Sequence, residues 1–136
     1  MYMDQLNEHH KKLWDFLQKL QSYQSDAEVL AHGKEISATI SQLSGILSVH
    51  LAAEDKYLYP ALQKDPAAHI QQLAAKFSRE MGTLADVYKA YRDRFMLTSQ
   101  IEADPDLFLK ETARVLQALS NRLQKEDKEL YPLLKK

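Results

Sequence analysis

The chain has 136 residues, of which 27% are charged, and a formal net charge of −1; this size predicts one domain over residues 1–136, and this charge offers no basic face for nucleic acid. It contains no cysteine, which excludes disulfides, thiolate metal sites, iron–sulfur clusters and thiol catalysis. No apolar run approaches the roughly 20 residues of a membrane span, and no signal core opens the chain, so we expect a cytoplasmic protein without membrane or nucleic acid partners.

Four long amphipathic helices are predicted in chain order. The first covers about residues 3–22, and the second begins at a capping box at residues 25–28 and ends near Pro60. Asp-Pro pairs at residues 65–66 and 104–105 open the third and fourth, with aspartate as N-cap and proline at the first helical position. Long amphipathic helices joined by short loops predict an all-α fold, an antiparallel up-down-up-down four-helix bundle.

Polar side chains interrupt the apolar faces of three of these helices. The inward positions, spaced by three and four residues, include two histidines, two glutamates and one arginine: His10, His50, Glu54, Glu126 and Arg122. A buried carboxylate without a partner is costly, so each glutamate needs a cation or a proton. Two inward imidazoles beside two inward carboxylates are typical of a metal-ligand set.

An internal repeat relates the two halves of the chain. The segments HLAAEDKYLYP, at residues 50–60, and RLQKEDKELYP, at residues 122–132, agree at seven of eleven positions. Arg122 therefore matches His50, while the glutamate four residues later is kept in both copies. The pattern indicates two helical hairpins related by duplication, of which the second has exchanged a histidine for a cation that cannot bind metal.

The stretches LNEHHKKL, HLAAEDKYLYPAL and EDKELYPLL resemble the hemerythrin-like, cation-binding HHE family over nearly the whole chain. This resemblance implies a four-helix bundle with a non-haem di-iron centre, and a role in binding oxygen or nitric oxide or in sensing iron or redox state. Carried over residue by residue, it implies four metal ligands: His10, His50, Glu54 and Glu126.

Met81 and Arg122 stand where the family has histidines. The losses fall on one iron of the pair, so we expect a single ion, with iron first and manganese or zinc also suited to the donor set. The guanidinium of Arg122 is expected in place of the second ion, because its planar fork bonds carboxylate oxygens. A lone ferrous ion readily supplies one electron, so reversible oxygen carriage is not expected, and the small ligand would be sensed or bound.

Two alternatives stay open at the level of sequence. The two glutamates could form a buried ion-pair network with Arg122 and a protonated His10, without any metal, and the bundle would then be a regulatory or interaction module. Asp127, one residue past Glu126, could be the ligand instead if the last helix is rotated.

Other polar residues are given structural roles. His9 is expected to face solvent, Met81 to fill the core, and Tyr59 and Tyr131, each before a proline, to cap the end of the bundle. No serine nucleophile pairs with a base, so no enzymatic reaction is predicted.

Overall fold

The computed structural model describes residues 2–134, and over this range the chain is all-helical. The seven α-helices in chain order are α1 (Tyr2–Gln21), α2 (Asp26–Ala31), α3 (Gly33–Ala53), α4 (Tyr59–Gln63), α5 (Ala68–Phe95), α6 (Thr98–Ala103) and α7 (Pro105–Lys125). A π-helical turn joins α3 to α4 at Glu54–Leu58, and a second follows α7 at Glu126–Leu130. A 3-10 turn at Tyr131–Leu134 ends the described chain.

Two of the three predicted N-caps are confirmed. The side chains of Ser25 and Asp104 accept hydrogen bonds from backbone N–H groups in the first turns of α2 and α7, at 3.2 and 3.1 Å. The third start was placed two residues too early. The carboxylate of Asp65 accepts from the N–H of Ala67 at 2.9 Å in a turn that precedes the helix, and α5 begins at Ala68.

The predicted second helix is divided and extends further than expected. His32, with φ of −123° and ψ of 24°, leaves the α-helical conformation and separates α2 from α3. The helix does not end at Pro60, because this proline lies in the first turn of α4, where its missing N–H costs little. A further short helix, α6, lies between α5 and α7, and it buries Ile101 completely.

The apolar faces of the long helices form two buried clusters. One contains Leu13 and Leu47, and the other contains Leu6 and Leu58. On α1, His10 lies between Leu6 and Leu13, so the polar positions fall between the two clusters. The inward residues are therefore surrounded by apolar side chains above and below, where charges are poorly solvated.

The helical run Gly33–Gln63 is long and apolar enough to cross a membrane by length and composition, with a mean hydropathy of 1.3 in its best window. The sequence prediction of no such run is therefore corrected. A core helix of a water-soluble protein has the same composition, and here Ile36, Ile40 and Leu43 are fully buried inside the fold. The run alone is weak support for a membrane location.

Candidate metal centre

The four predicted ligand residues meet in one buried cluster. One ligand atom from each lies within 4.8 Å of every other, and all four side chains are buried: His10, His50, Glu54 and Glu126. The imidazoles come from α1 and α3, and each glutamate is the first residue of a π turn. Helices that are distant in sequence thus deliver their polar positions to one point.

The closest contacts within the cluster join imidazole nitrogens and carboxylate oxygens, all of which can accept a proton. Nε2 of His10 is 2.8 Å from Oε1 of Glu126, and Nε2 of His50 is 3.1 Å from the same oxygen. The two Nε2 atoms are 3.3 Å apart, and Nε2 of His50 is 3.2 Å from Oε2 of Glu54. A neutral imidazole that donates through Nδ1 presents only a lone pair at Nε2. The cluster therefore requires shared protons or a cation between its donor atoms.

Glu54 supplies the test of whether a metal fits. Its Oε1 is buried and has no hydrogen-bond partner among the residues that the structure describes. Buried carboxylate oxygens are nearly always paired, and this one belongs to a side chain surrounded by ligand atoms. Imidazole nitrogen and carboxylate oxygen together suit iron, manganese or zinc, so the donor set fits such an ion.

Asp127 contacts the far side of an imidazole and is not directed at the cluster. Its Oδ1 is 3.0 Å from Nδ1 of His10, whereas Glu126 is fully buried and faces the cluster. The last helix is therefore rotated so that Glu126 faces inward, as the spacing of its apolar residues predicts. A carboxylate that accepts from Nδ1–H fixes the ring orientation and leaves Nε2 free to bind a metal.

Arg122 is bonded to the cluster through Glu126. It is buried, and its Nε donates to Oε2 of Glu126 at 2.9 Å. Its Nη2 donates to the hydroxyl of Tyr59 at 2.8 Å, and the guanidinium lies over the ring of Phe77 at 4.6 Å. The expected pairing with carboxylate is present, but the second arm of the fork bonds a phenol. Met81 is buried in the apolar core, as predicted.

Tyr131 was assigned to the end of the bundle, and this assignment is wrong. Its hydroxyl donates to Oε2 of Glu54 at 2.9 Å and lies 2.9 Å from Nε2 of His10. In an α-helix, a residue five positions after Glu126 would point about 140° away from it. The π turn inserts one residue, with the N–H of Tyr131 bonded to the carbonyl of Glu126, and so brings the tyrosine inward.

The sequence contained a signal for both tyrosines. Tyr59 and Tyr131 are retained at equivalent places in the two copies of the repeat, each directly after a π turn. Such turns occur often at functional sites. The repeat distinguishes these two tyrosines from the others, but the α-helical period predicts the wrong direction for their side chains.

His9 also differs from expectation. It is partly buried, its Nδ1 has no partner in the described part of the chain, and its ring packs edge-on against His50 at 5.5 Å. Burial, with repulsion from His50 and Lys12, lowers the pKa of His9. A neutral ring is thereby favoured beside the centre.

The glutamates of the cluster and the imidazole of His50 change one another's pKa values. Burial alone would lower the pKa of His50, but its hydrogen bonds to Glu126 and Glu54 and their charges raise it to about 9. Burial also opposes the charge of Glu126, yet hydrogen bonds from His10 and His50 and the charge of Arg122 hold its pKa well below the usual range. Without a metal, the imidazolium of His50 therefore faces an ionised Glu126.

Fold and cluster together define a class: an all-helical protein with a buried histidine–carboxylate site suited to a cation. The family model described as hemerythrin HHE cation binding domain matches residues 1–134, and the chain belongs to this family. No curated protein and no solved structure matches the chain. The resemblance seen in the sequence is confirmed, and membership implies a metal-binding site.

Proposed function

We propose that this protein is a cytoplasmic, non-enzymatic metal binder that holds one iron ion and senses iron, oxygen, nitric oxide or redox state. The ligands are two imidazoles and two carboxylates: His10, His50, Glu54 and Glu126. The observation that carries the proposal is the convergence of one atom from each within 4.8 Å in a buried site. Bound iron would supply a redox-active centre at this site.

The proposal places the site inside an antiparallel up-down-up-down four-helix bundle. The four members are α1, α3 continued by α4, α5 and α7. The pattern of neighbours supports this arrangement, because α1 packs against α3 and α7, and α5 packs against α3 and α7. Each ligand then projects inward from its helix, as metal ligands do in such bundles.

One ion is favoured over two by the chemistry of the second half-site. There Met81 offers a thioether, which is a poor ligand for hard iron, and Arg122 places a permanent positive charge against Glu126. A second cation next to that guanidinium would be repelled. Arg122 thus supplies, through a hydrogen bond, the charge that a second iron would otherwise supply.

A metal-free regulatory or interaction module is the second candidate, and one feature of the cluster favours it. With His50 protonated, as its raised pKa allows, the charges of His50 and Arg122 offset those of Glu54 and Glu126. The network is then neutral without an ion. The unpartnered oxygen of Glu54 is the feature that this alternative leaves unexplained.

Metal content of protein purified without an affinity tag separates the two candidates. We expect about one metal ion per chain after growth with added iron, and iron should displace manganese in competition. Glu54→Gln should lose the ion, because the substitution removes a charged ligand. Glu129→Gln is the matched control, since this exposed glutamate lies in the second π turn but outside the cluster.

Two results would contradict the proposal. A metal-free wild type whose stability is unchanged by added Fe(II) supports the interaction module. Two ions per chain would mean that other side chains, such as Glu80, replace the missing histidines.

A further inference from the structure

The hydroxyl oxygen of Tyr131 lies within 3.3 Å of one donor atom from each predicted ligand. Its distances to the four predicted ligands are 2.9 Å to Nε2 of His10, 3.3 Å to Nε2 of His50, 2.9 Å to Oε2 of Glu54 and 3.2 Å to Oε1 of Glu126. A hydroxyl has one hydrogen, so it satisfies one of these neighbours at a time. Toward the other three it can only accept, so each of those contacts needs a proton on the partner atom or a cation between the lone pairs.

These separations are those of atoms that share a metal ion. Nitrogen and oxygen ligands sit about 2.0–2.2 Å from such an ion, so neighbouring ligands at right angles lie about 3 Å apart. The five donor atoms, with Tyr131 included, show this spacing in most of their pairs. The phenol oxygen therefore occupies a vertex of the same polyhedron as the imidazoles and carboxylates.

We propose that Tyr131 is a fifth ligand, bound through its phenolate oxygen. This inference rests on the proposed function, because it needs an ion in the centre. Such binding would leave the electron count unchanged, because the O–H proton of Tyr131 and any proton on the two Nε2 atoms would be released when the ion is held. Ligands of metal ions are deprotonated in this way.

Charge in the centre supports an anionic fifth ligand. Glu54 and Glu126 contribute two negative charges, while a divalent ion and the guanidinium of Arg122 contribute three positive ones. A phenolate removes the excess for the divalent ion. It reduces the excess from two charges to one for a trivalent ion, so the oxidised state gains from it too. A buried site leaves such an excess poorly screened.

Tyr59 is the repeat-related partner of Tyr131 but has a different neighbour. Both follow a π turn and both are buried. The hydroxyl of Tyr59, however, accepts a hydrogen bond from Nη2 of Arg122 at 2.8 Å. A guanidinium occupies the place that imidazoles occupy around Tyr131. Only one of the two tyrosines thus faces a full donor set, which provides a control within the same chain.

Visible absorption of the iron-loaded protein tests this inference. Protein is loaded with Fe(II) without oxygen, its iron content is measured, and ferricyanide then oxidises it. We expect an intense phenolate-to-iron(III) charge-transfer band in the wild type, and tyrosine ring modes in resonance Raman spectra excited in that band. Tyr131→Phe should lose the band while keeping its iron, and Tyr59→Phe should keep both.

The outcomes separate this inference from the proposed function. Iron bound without a band in the wild type overturns ligation by Tyr131 and leaves the metal site standing. No bound iron overturns both. If Tyr59→Phe abolishes the band and Tyr131→Phe retains it, the ligand is Tyr59, and the assignment to Tyr131 is wrong. If Tyr131→Phe fails to fold, the wild type grown on ring-deuterated tyrosine decides: the Raman modes must shift, and they must persist in Tyr59→Phe.

Discussion

Arg122 donates from Nη2 to the hydroxyl of Tyr59 at 2.8 Å, across 63 residues of sequence. The bond joins the two copies of the internal repeat, because Tyr59 belongs to the first and Arg122 to the second. In one half of the centre a tyrosine meets imidazoles and carboxylates, and in the other a tyrosine meets a guanidinium. The two copies thus share a π turn before the tyrosine but surround that tyrosine with different side chains.

Arg122→Ala should destabilise the metal-free protein strongly. It leaves Glu126 without its guanidinium and Tyr59 without its donor, both in the buried core. Removing one member of a buried ion pair costs about 3–5 kcal/mol, and we expect a loss in the free energy of unfolding of this order. Urea denaturation after treatment with a chelator measures it.

Arg114→Ala is the control for this loss. Arg114 pairs with Glu111 at 2.9 Å, but its side chain is 76% exposed, and exposed pairs contribute about 0–1 kcal/mol. Similar losses for the two arginines would show that Arg122 does not sustain the buried network.

Restoring two histidines should create a second metal position. In the double variant Met81→His with Arg122→His, imidazoles replace a thioether and a guanidinium, so the metal content should rise from about one to about two ions per chain. Elemental analysis gives the count. Met81→Gln with Arg122→Gln removes the same side chains without adding imidazoles and should remain at one. A double-histidine variant that binds no more metal than the wild type would show that the repeat misplaces these positions.

Asp127→Ala should weaken metal binding without removing a ligand. The carboxylate accepts from Nδ1 of His10 at 3.0 Å, and the loss of such partners of ligating imidazoles typically costs about 10–100-fold in metal affinity. Competition of Zn(II) or Fe(II) binding against a chromophoric chelator measures the change. Asp55, the repeat-related aspartate, is exposed, and Asp55→Ala should bind metal as the wild type does. Equal affinities for both variants would exclude an orienting role for Asp127.

The stability of metal-free protein should fall as pH rises through the titration of His50. The pKa of this imidazole is raised from 6.5 to about 9 in the folded protein. A group whose pKa is higher in the folded protein than in the unfolded chain stabilises the fold fully at pH values below its unfolded-state pKa. This stabilisation is lost as the pH rises through the folded-state pKa. The shift corresponds to about 3 kcal/mol, to be measured by urea unfolding of chelator-treated protein between about pH 6 and pH 10.

The other groups around His50 do not reverse this trend. Glu126, whose pKa is lowered, contributes stability that is lost only as pH falls. Burial raises the pKa of Glu54, so the titration of Glu54, like that of His50, lowers the stability of the fold as the pH rises. His50→Gln should flatten most of the slope above neutral pH. A wild type equally stable at both ends of the range would show that His50 is not protonated in the folded state.

Helical periodicity was sufficient to predict the inward faces of the long helices. On α7 the spacing of apolar residues placed Arg122 and Glu126 inward, and both are buried. Periodicity failed where the helix itself changes: the turn at Glu126–Leu130 is π-helical, so Tyr131 turns toward the centre against the α-helical expectation. His32, which divides the second predicted helix, directly precedes Gly33, and glycine just past the end of a helix is a stop signal that the prediction of one continuous helix overlooked.

The order of the donors along the chain has a consequence for folding. His10 and Glu126, whose side chains touch at 2.8 Å, are separated by 116 residues, so an ion held by both would act as a cross-link that closes almost the entire polypeptide. Such a closure removes conformational freedom mainly from the unfolded ensemble. Loading would then slow amide exchange in the first and last helices together, and chelation would release both at once.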